Sequence, residues 1–253
     1  MRILITNDDG VFSHGIRLLC EWAKGLGEVT VVAPKKEQSG MSHAINFTRP
    51  FEIKQVELME GIEAYSCDST PADCVRFGIV GLGRKYDLVL SGINRGVNLG
   101  VDVIYSGTVA AIFEAAYWGH RALAISTYPD SADEAASTLD LVYNYIKEKK
   151  LFSYNPIYNV NIPKGNLGIK ITGQGSPYFN DGFKPLGDGT YIQTGERIDD
   201  ECPGDLSRDT VALEAGYITL TPLTLNRTND EALGKLLQAE RVKPHAVLLK
   251  PLS

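Results

Sequence analysis

The stretch MRILITNDDGVFSHGIRLLCEWAKGLGEVTVVAP, residues 1–34, decides the fold. Arg2 to Thr6 is a short β-branched and aliphatic run, and Glu28 to Pro34 is a second one, closed by proline. Between them Ser13 precedes Ile16, Leu19, Cys20 and Ala23, whose spacing of three and four marks one helix face, and Gly25 and Gly27 stop the helix. Strand, helix and strand at this spacing imply parallel strands joined by a right-handed crossover, the seed of a doubly wound sheet.

The alternation continues along the chain. Ile45 to Glu57 is extended but carries Pro50 and mixed charge, which fits an edge hairpin. Thr70-Pro71-Ala72-Asp73 combines a threonine cap, proline at the first helical position and an acid three residues after the cap, so it opens a helix. Asp87 to Ser91 is a buried strand, Ser106 opens the next helix, and Ala122 to Ser126 is a strand again. Ser131 to Glu134 has the form of a capping box for a helix reaching about Lys149, and Ile157 to Ile162 is one more strand. From Pro163 the pattern loosens into glycine-studded sequence, with alternation at Tyr217 to Leu220 and a helix from Thr228. The expected fold is therefore α/β, with an α/β core over residues 1–163 and a C-terminal extension over residues 164–253 of projecting β-hairpins and a helix, expected to serve as an oligomerisation arm.

Composition bounds the function. With 25 Lys+Arg against 31 Asp+Glu the formal charge is −6, which argues against the broad basic footprint that duplex nucleic acid requires. No apolar run approaches the roughly 20 residues that span a bilayer, and the chain enters its first strand without a signal-peptide layout, so no membrane partner and a cytoplasmic location are expected. Cys20, Cys67, Cys74 and Cys202 form no CxxC pair, which supports reduced thiols rather than a zinc or redox motif.

In an open parallel sheet, ligands bind beyond the carboxyl ends of the strands. Strand one ends in Asn7-Asp8-Asp9-Gly10, strand two runs into Gln38-Ser39-Gly40, the strand at 87–91 runs into Gly92-Ile93-Asn94, and Ser106-Gly107-Thr108 opens a helix. Two adjacent carboxylates repel each other, and burial compounds the cost, so they need water or a cation. Asp8, Asp9, the Ser39 hydroxyl and the Asn94 amide oxygen make a hard, all-oxygen set suited to magnesium or manganese and poorly suited to zinc. The same two acids could equally cap the following helix. Ser106-Gly107-Thr108 reads either as an ordinary cap or as a phosphate cradle built from free amides at a helix start. Neither a P-loop nor a G-x-G-x-x-G string occurs at these positions, which favours a lone phosphate over a triphosphate or dinucleotide. His43, the histidine nearest this edge, is either solvated or a proton donor to a leaving alcohol.

These residues resemble the SurE family, the stationary-phase survival nucleotidases. ILITNDDG at 3–10, VVAPKKEQSG at 31–40, TPADCV at 70–75, SGINRGVNLG at 91–100 and YSGTVAAIFEA at 105–115 carry the resemblance. Where the family often has proline or glycine, Val97, Ser42 and Ser69 stand here. The resemblance implies a Rossmann-like three-layer α/β/α fold and a phosphomonoesterase of nucleoside monophosphates. It further implies one divalent cation per subunit, Mg2+ or Mn2+, held at Asp8, Asp9, Ser39 and Asn94, and a homodimer or homotetramer. Asp8 and Asp9 are the expected catalytic pair, with Ser106, Gly107, Thr108, Asn98 and His43 at the phosphate and substrate. Two other readings stand beside this one: a phosphatase that forms an aspartyl phosphate, disfavoured by adjacent acids where D-x-D-G is needed, and a nucleotide- or metal-binding module without chemistry.

Overall fold

The computed structural model describes residues 1–242. β1 (Arg2–Thr6), α1 (His14–Lys24) and β2 (Glu28–Pro34) form the expected unit, with β1 and β2 parallel. Ser13 caps α1 by accepting the Ile16 amide at 3.4 Å, and Ile16, Leu19, Cys20 and Ala23 are buried on one face. β3 (Ile53–Val56) lies antiparallel to β4 (Glu63–Cys67) at one edge of the sheet, so the predicted edge hairpin is present but shorter. Next come α2 (Pro71–Arg76), β5 (Leu88–Arg95), α3 (Gly107–Tyr117) and β6 (Ala122–Thr127). Thr70 caps α2 through its hydroxyl, 3.2 Å from the Asp73 amide.

The predicted helix at 132–149 is broken in two, α4 (Ala132–Ser137) and α5 (Leu139–Glu148). Its capping box does not form: the Ser131 hydroxyl is buried without a partner, and Glu134 instead accepts the Gly165 amide at 2.7 Å. Thr138 at the break turns its hydroxyl back onto the Ala135 carbonyl at 2.8 Å, a local bond that competes with the helix ladder.

β7 (Ile157–Ile162) is followed by β8 (Ile169–Ile171), the ribbon β9 (Phe179–Gly187) and β10 (Thr190–Arg197), α6 (Asp209–Glu214) and β11 (Ile218–Pro222). The main sheet has nine strands in the order β3-β4-β2-β1-β5-β6-β7-β11-β8. β4 through β7 run parallel, and β11 is antiparallel to β7. Because β8 and β11 continue the sheet, the compact unit runs from Met1 to Leu223, and the expected boundary at 163 falls inside it. β9 and β10 form a separate two-stranded antiparallel arm. From Thr224 the chain forms a second unit containing α7 (Asp230–Val242), capped by Asn229; residues 243–253 of the expected extension lie outside the described residues.

The three layers follow from strand alternation. Ile3 and Ile5 of β1, Val29 and Val31 of β2 and Leu88 and Leu90 of β5 pack with α1, α4 and α5, whereas Leu4, Val32 and Val89 pack with α2 and α3. The strand order reverses direction at β1, which lies between β2 and β5. This switch point is where the carboxyl ends of neighbouring strands diverge and leave a crevice.

α1 reaches the end of β5 because residue 15 has no side chain. A Cβ at Gly15 would lie 2.0 Å from the Ile93 carbonyl oxygen. Helix propensity alone favours alanine over glycine by about 1 kcal/mol. The collision with backbone reverses that preference, so Gly15→Ala is expected to destabilise the protein by about 1–3 kcal/mol in urea unfolding. A variant as stable as the parent contradicts the packing described.

Candidate active site at the sheet switch point

Asn7 builds the turn that presents the acids. Buried at the end of β1, it donates through Nδ2 to the Gly10 carbonyl at 3.0 Å and to the Ser13 hydroxyl at 2.7 Å, while its Oδ1 accepts the Gly10 amide at 3.2 Å. Gly10 has φ +103°, a conformation open to glycine and costly for other residues, and the backbone leaves the extended form there. The same Ser13 hydroxyl caps α1, so one short turn sets both the helix and the acids.

Asp8 is 5% exposed, and the Thr108 hydroxyl donates to its Oδ1 at 2.5 Å. Burial pushes its pKa up to about 6; the Thr108 hydrogen bond opposes the rise and the Asp9 charge adds to it. Asp9 is half-buried and accepts the Arg95 amide at 3.1 Å. Burial raises its pKa as well, with the Arg95 hydrogen bond opposing and the Glu37 charge adding. Gly107 permits the approach of α3: a Cβ there would sit 3.0 Å from the Asp8 Cβ and 3.1 Å from Pro71.

A cleft of about 420 Å³ opens beside these acids, a size within the small-molecule range. Asp8, Ser39, Asn94, Asn98 and Ser106 all line it. Asn94 lies within β5 itself, past an irregularity in register between Ser91 and Asn94, and not in a loop after the strand. Its Nδ2 donates to the Gly96 carbonyl at 2.8 Å, which leaves the lone pairs of Oδ1 unused among the described residues. Ser39 is exposed and its hydroxyl donates to Glu37 at 2.7 Å. Ser106 accepts the Val109 amide at 3.1 Å as the cap of α3, so its hydroxyl hydrogen is free. Among the described residues no three His, Cys, Asp or Glu side chains converge on one point. The candidate set is two carboxylates, a hydroxyl and an amide oxygen, and a desolvated carboxylate pair of this kind fits a hard divalent cation.

Four of the expected site residues do not line the cleft: Asp9, which stands beside Asp8 in sequence, and Gly107, Thr108 and His43. Thr108 is fully buried, with its hydroxyl spent on Asp8, and Gly107 packs behind Asp8, so both support the acid and neither residue lines the cleft. His43 does not line it either. Its Nε2 is 2.9 Å from Glu114, a buried carboxylate on α3 that also accepts from Arg76 at 2.9 Å and Trp118 at 2.8 Å. The imidazole is held by this carboxylate and lies outside the cleft lining.

Asn159 and Asn161, which lie beneath the expected Asn98, escaped sequence reasoning, as did Asp102 and the arm residues of the cleft. Asn98 is fixed from below: its amide donates to Asn161 Oδ1, its carbonyl accepts from the Nδ2 groups of Asn159 and Asn161, and its own Nδ2 donates to Ser126, each at 2.8 Å. Two asparagines inside the otherwise apolar β7 were the available signal. Asp102 accepts the amides of Tyr178 at 2.7 Å and Phe179 at 3.1 Å and so ties the arm to the cleft, which Phe179, Asp181 and Gln193 also line.

The raised pKa of Asp8 has a consequence for stability. Its folded-state pKa of about 6 exceeds the ordinary aspartate value of 3.8, so the folded state binds the proton more tightly and the metal-free protein loses stability as pH rises from about 4 through about 6. Two pKa steps correspond to about 3 kcal/mol at most. Asp8→Asn is therefore expected to raise the melting temperature of chelator-treated protein at pH 7.5, with the gain vanishing below pH 4. A variant less stable than the parent at pH 7.5 contradicts this.

Comparison with known proteins agrees with the geometry. The family described as "Survival protein SurE" matches residues 3–181. A protein named 5'-nucleotidase SurE from Thermoanaerobacter sp. (strain X514) is 40% identical over 238 residues, covering 90% of this chain and 94% of its own. Another of that name from Caldanaerobacter subterraneus subsp. tengcongensis is 39% identical over 246 residues, covering 92% and 95%. The crystal structure of the SurE protein from Aquifex aeolicus superposes with a TM-score of 0.78 at 34% identity, covering 95% of this chain and 100% of that one. With this match in sequence and in three dimensions, the chain belongs to the SurE family.

Proposed function

We propose that this protein is a metal-dependent nucleoside 5'-monophosphatase whose reaction takes place in the cleft at the β1/β5 switch point. The observation that carries the reading is the buried Asp8 carboxylate, set beside Asp9 and in one cleft with Ser39, Asn94, Asn98 and Ser106. Asp8, Asp9, Ser39 and Asn94 would hold one divalent ion, Mg2+ or Mn2+. Such an ion supplies Lewis-acid polarisation of the phosphoryl oxygens and acidifies a water.

The chain's own groups do the rest. Ser106 offers its free hydroxyl hydrogen at the start of α3, where the helix dipole favours an anion. Asn98 has a second N–H beyond the one spent on Ser126, and its four hydrogen bonds hold it in place before substrate arrives. Arg95 lines the cleft with a positive side chain suited to a phosphate dianion. Asp9 is less buried than Asp8 and its Oδ2 accepts from Arg95; its other oxygen would take a proton from the attacking water. Thr108 orients Asp8 and is a positioning residue.

Two further readings accompany this one. Large apolar side chains exposed on the arm, among them Phe183, Leu186 and Tyr191, support assembly of a homodimer or homotetramer through β9 and β10. Three buried free cysteines and an exposed fourth support a reducing, cytoplasmic setting. No helix among the described residues is long and apolar enough to cross a membrane.

Phosphate release from a nucleoside 5'-monophosphate, measured with manganese and again with chelator, tests the reading. Release is expected only with metal, Asp8→Asn is expected to fall to background, and Thr108→Val is expected to lose about ten- to a hundredfold, as for a residue that orients a ligand. Equal release with and without chelator overturns it.

A further inference from the structure

The arm enters the cleft with one chemically distinctive face. In the antiparallel register Phe179 lies opposite Arg197, Asp181 opposite Gly195 and Phe183 opposite Gln193. Directly paired residues share a face, as do residues two apart along a strand, so Phe179, Asp181, Gly195 and Gln193 belong to one surface of the ribbon. Three of these four line the cleft that holds Asp8.

Gly195 is the informative member. Its backbone is not in the left-handed region, so conformation does not require glycine. A Cβ there would meet nothing closer than Asp181 Oδ1 at 3.5 Å, so packing does not require it either. Glycine weakens a strand, and one that neither torsion nor packing demands marks a place where something outside the chain approaches the backbone. Flanking this bare patch are an aromatic ring, Phe179, 44% exposed, and the carboxylate of Asp181, which has no hydrogen-bond or ion-pair partner among the described residues. Tyr105 brings a second exposed ring to the same cleft from the segment that Asp102 ties to the arm.

We propose that this face of the arm is the base-reading wall of the site: the nucleobase lies against Gly195 and stacks on Phe179 while Asp181 accepts a hydrogen bond from an exocyclic amino group. The inference rests on the nucleotidase reading and adds the part of the substrate it selects. An aromatic face suits any base. An ionised carboxylate only accepts, so it pairs with the amino group of adenine or cytosine and repels a keto oxygen at the same position. Gln193, which both donates and accepts, tolerates either.

Steady-state kinetics on AMP, IMP, CMP, UMP and ribose 5-phosphate, with metal present, test this. The parent protein is expected to favour AMP over IMP and CMP over UMP by about tenfold in kcat/KM, the size of one charged hydrogen bond at an open rim. Asp181→Asn is expected to bring both ratios to within about twofold of unity. Phe179→Ala is expected to lose about tenfold more on AMP than on ribose 5-phosphate. Gly195→Val, favoured by strand propensity and therefore expected to fold, should show the same split by filling the patch. Equal use of AMP and IMP by the parent protein, ratios unaffected by Asp181→Asn, or equal losses on AMP and ribose 5-phosphate overturn the proposal. If no ester, ribose 5-phosphate included, releases phosphate, the nucleotidase reading fails and this inference with it.

Discussion

A carboxylate held away from water, with an adjacent carboxylate and, among the described residues, no positive side chain paired to it, is the constraint on which the rest of this structure turns. Asp8 sits under α3 with one hydroxyl hydrogen bond from Thr108, and its pKa rises because that bond does not offset the burial. The arrangement is stabilising only in the company of a cation or a proton. Every neighbouring device serves to keep the acid there: the Asn7 clamp that shapes the turn, the bare Gly107 that lets α3 close over it, and the Gly15 contact that brings α1 to the end of β5. The protein thus stores unfavourable electrostatics at one point of a sheet whose core is otherwise apolar.

The fold explains why that point lies where it does. β1 is central, with β2 and β5 on either side, and the chain departs from it in both directions. Asp8 at the end of β1 and Asn94 at the end of β5 both line the resulting crevice. Beneath them, Asn159 and Asn161 give up core volume on β7 to hold the backbone of Asn98. Buried polar groups of this kind cost stability unless satisfied; here both side-chain amide N–H groups and Asn161 Oδ1 bond to the site residue above, while Asn159 Oδ1 has no partner among the described residues.

The alternating part of the chain was legible because its apolar runs and caps have strong local signals: Ser13, Thr70 and Ser106 each cap the helix expected of them. The acids were legible too, since adjacent carboxylates at a strand end demand an explanation. What stayed hidden depends on partners distant in sequence. Ser131 has the right neighbours for a cap, yet Glu134 finds a better-placed amide at Gly165. His43 is claimed by Glu114 from α3, and Thr108 turns inward to Asp8. β8 has only three residues and joined the sheet without a recognisable period, whereas β11 falls on the alternation read at Tyr217 to Leu220. The arm, almost wholly exposed, carries no alternation of burial, and its place at the cleft depends on Asp102, far upstream.

The central claim, that a divalent cation compensates the charge stranded at Asp8, is tested most directly by calorimetric titration of the purified protein with manganese in buffers of different ionisation enthalpy. A carboxyl with a pKa of about 6 must lose its proton to become a ligand, so binding at pH 5 should release close to one proton, falling toward none above pH 7.5. Manganese binding with no proton release at pH 5, or no binding at all, contradicts the account.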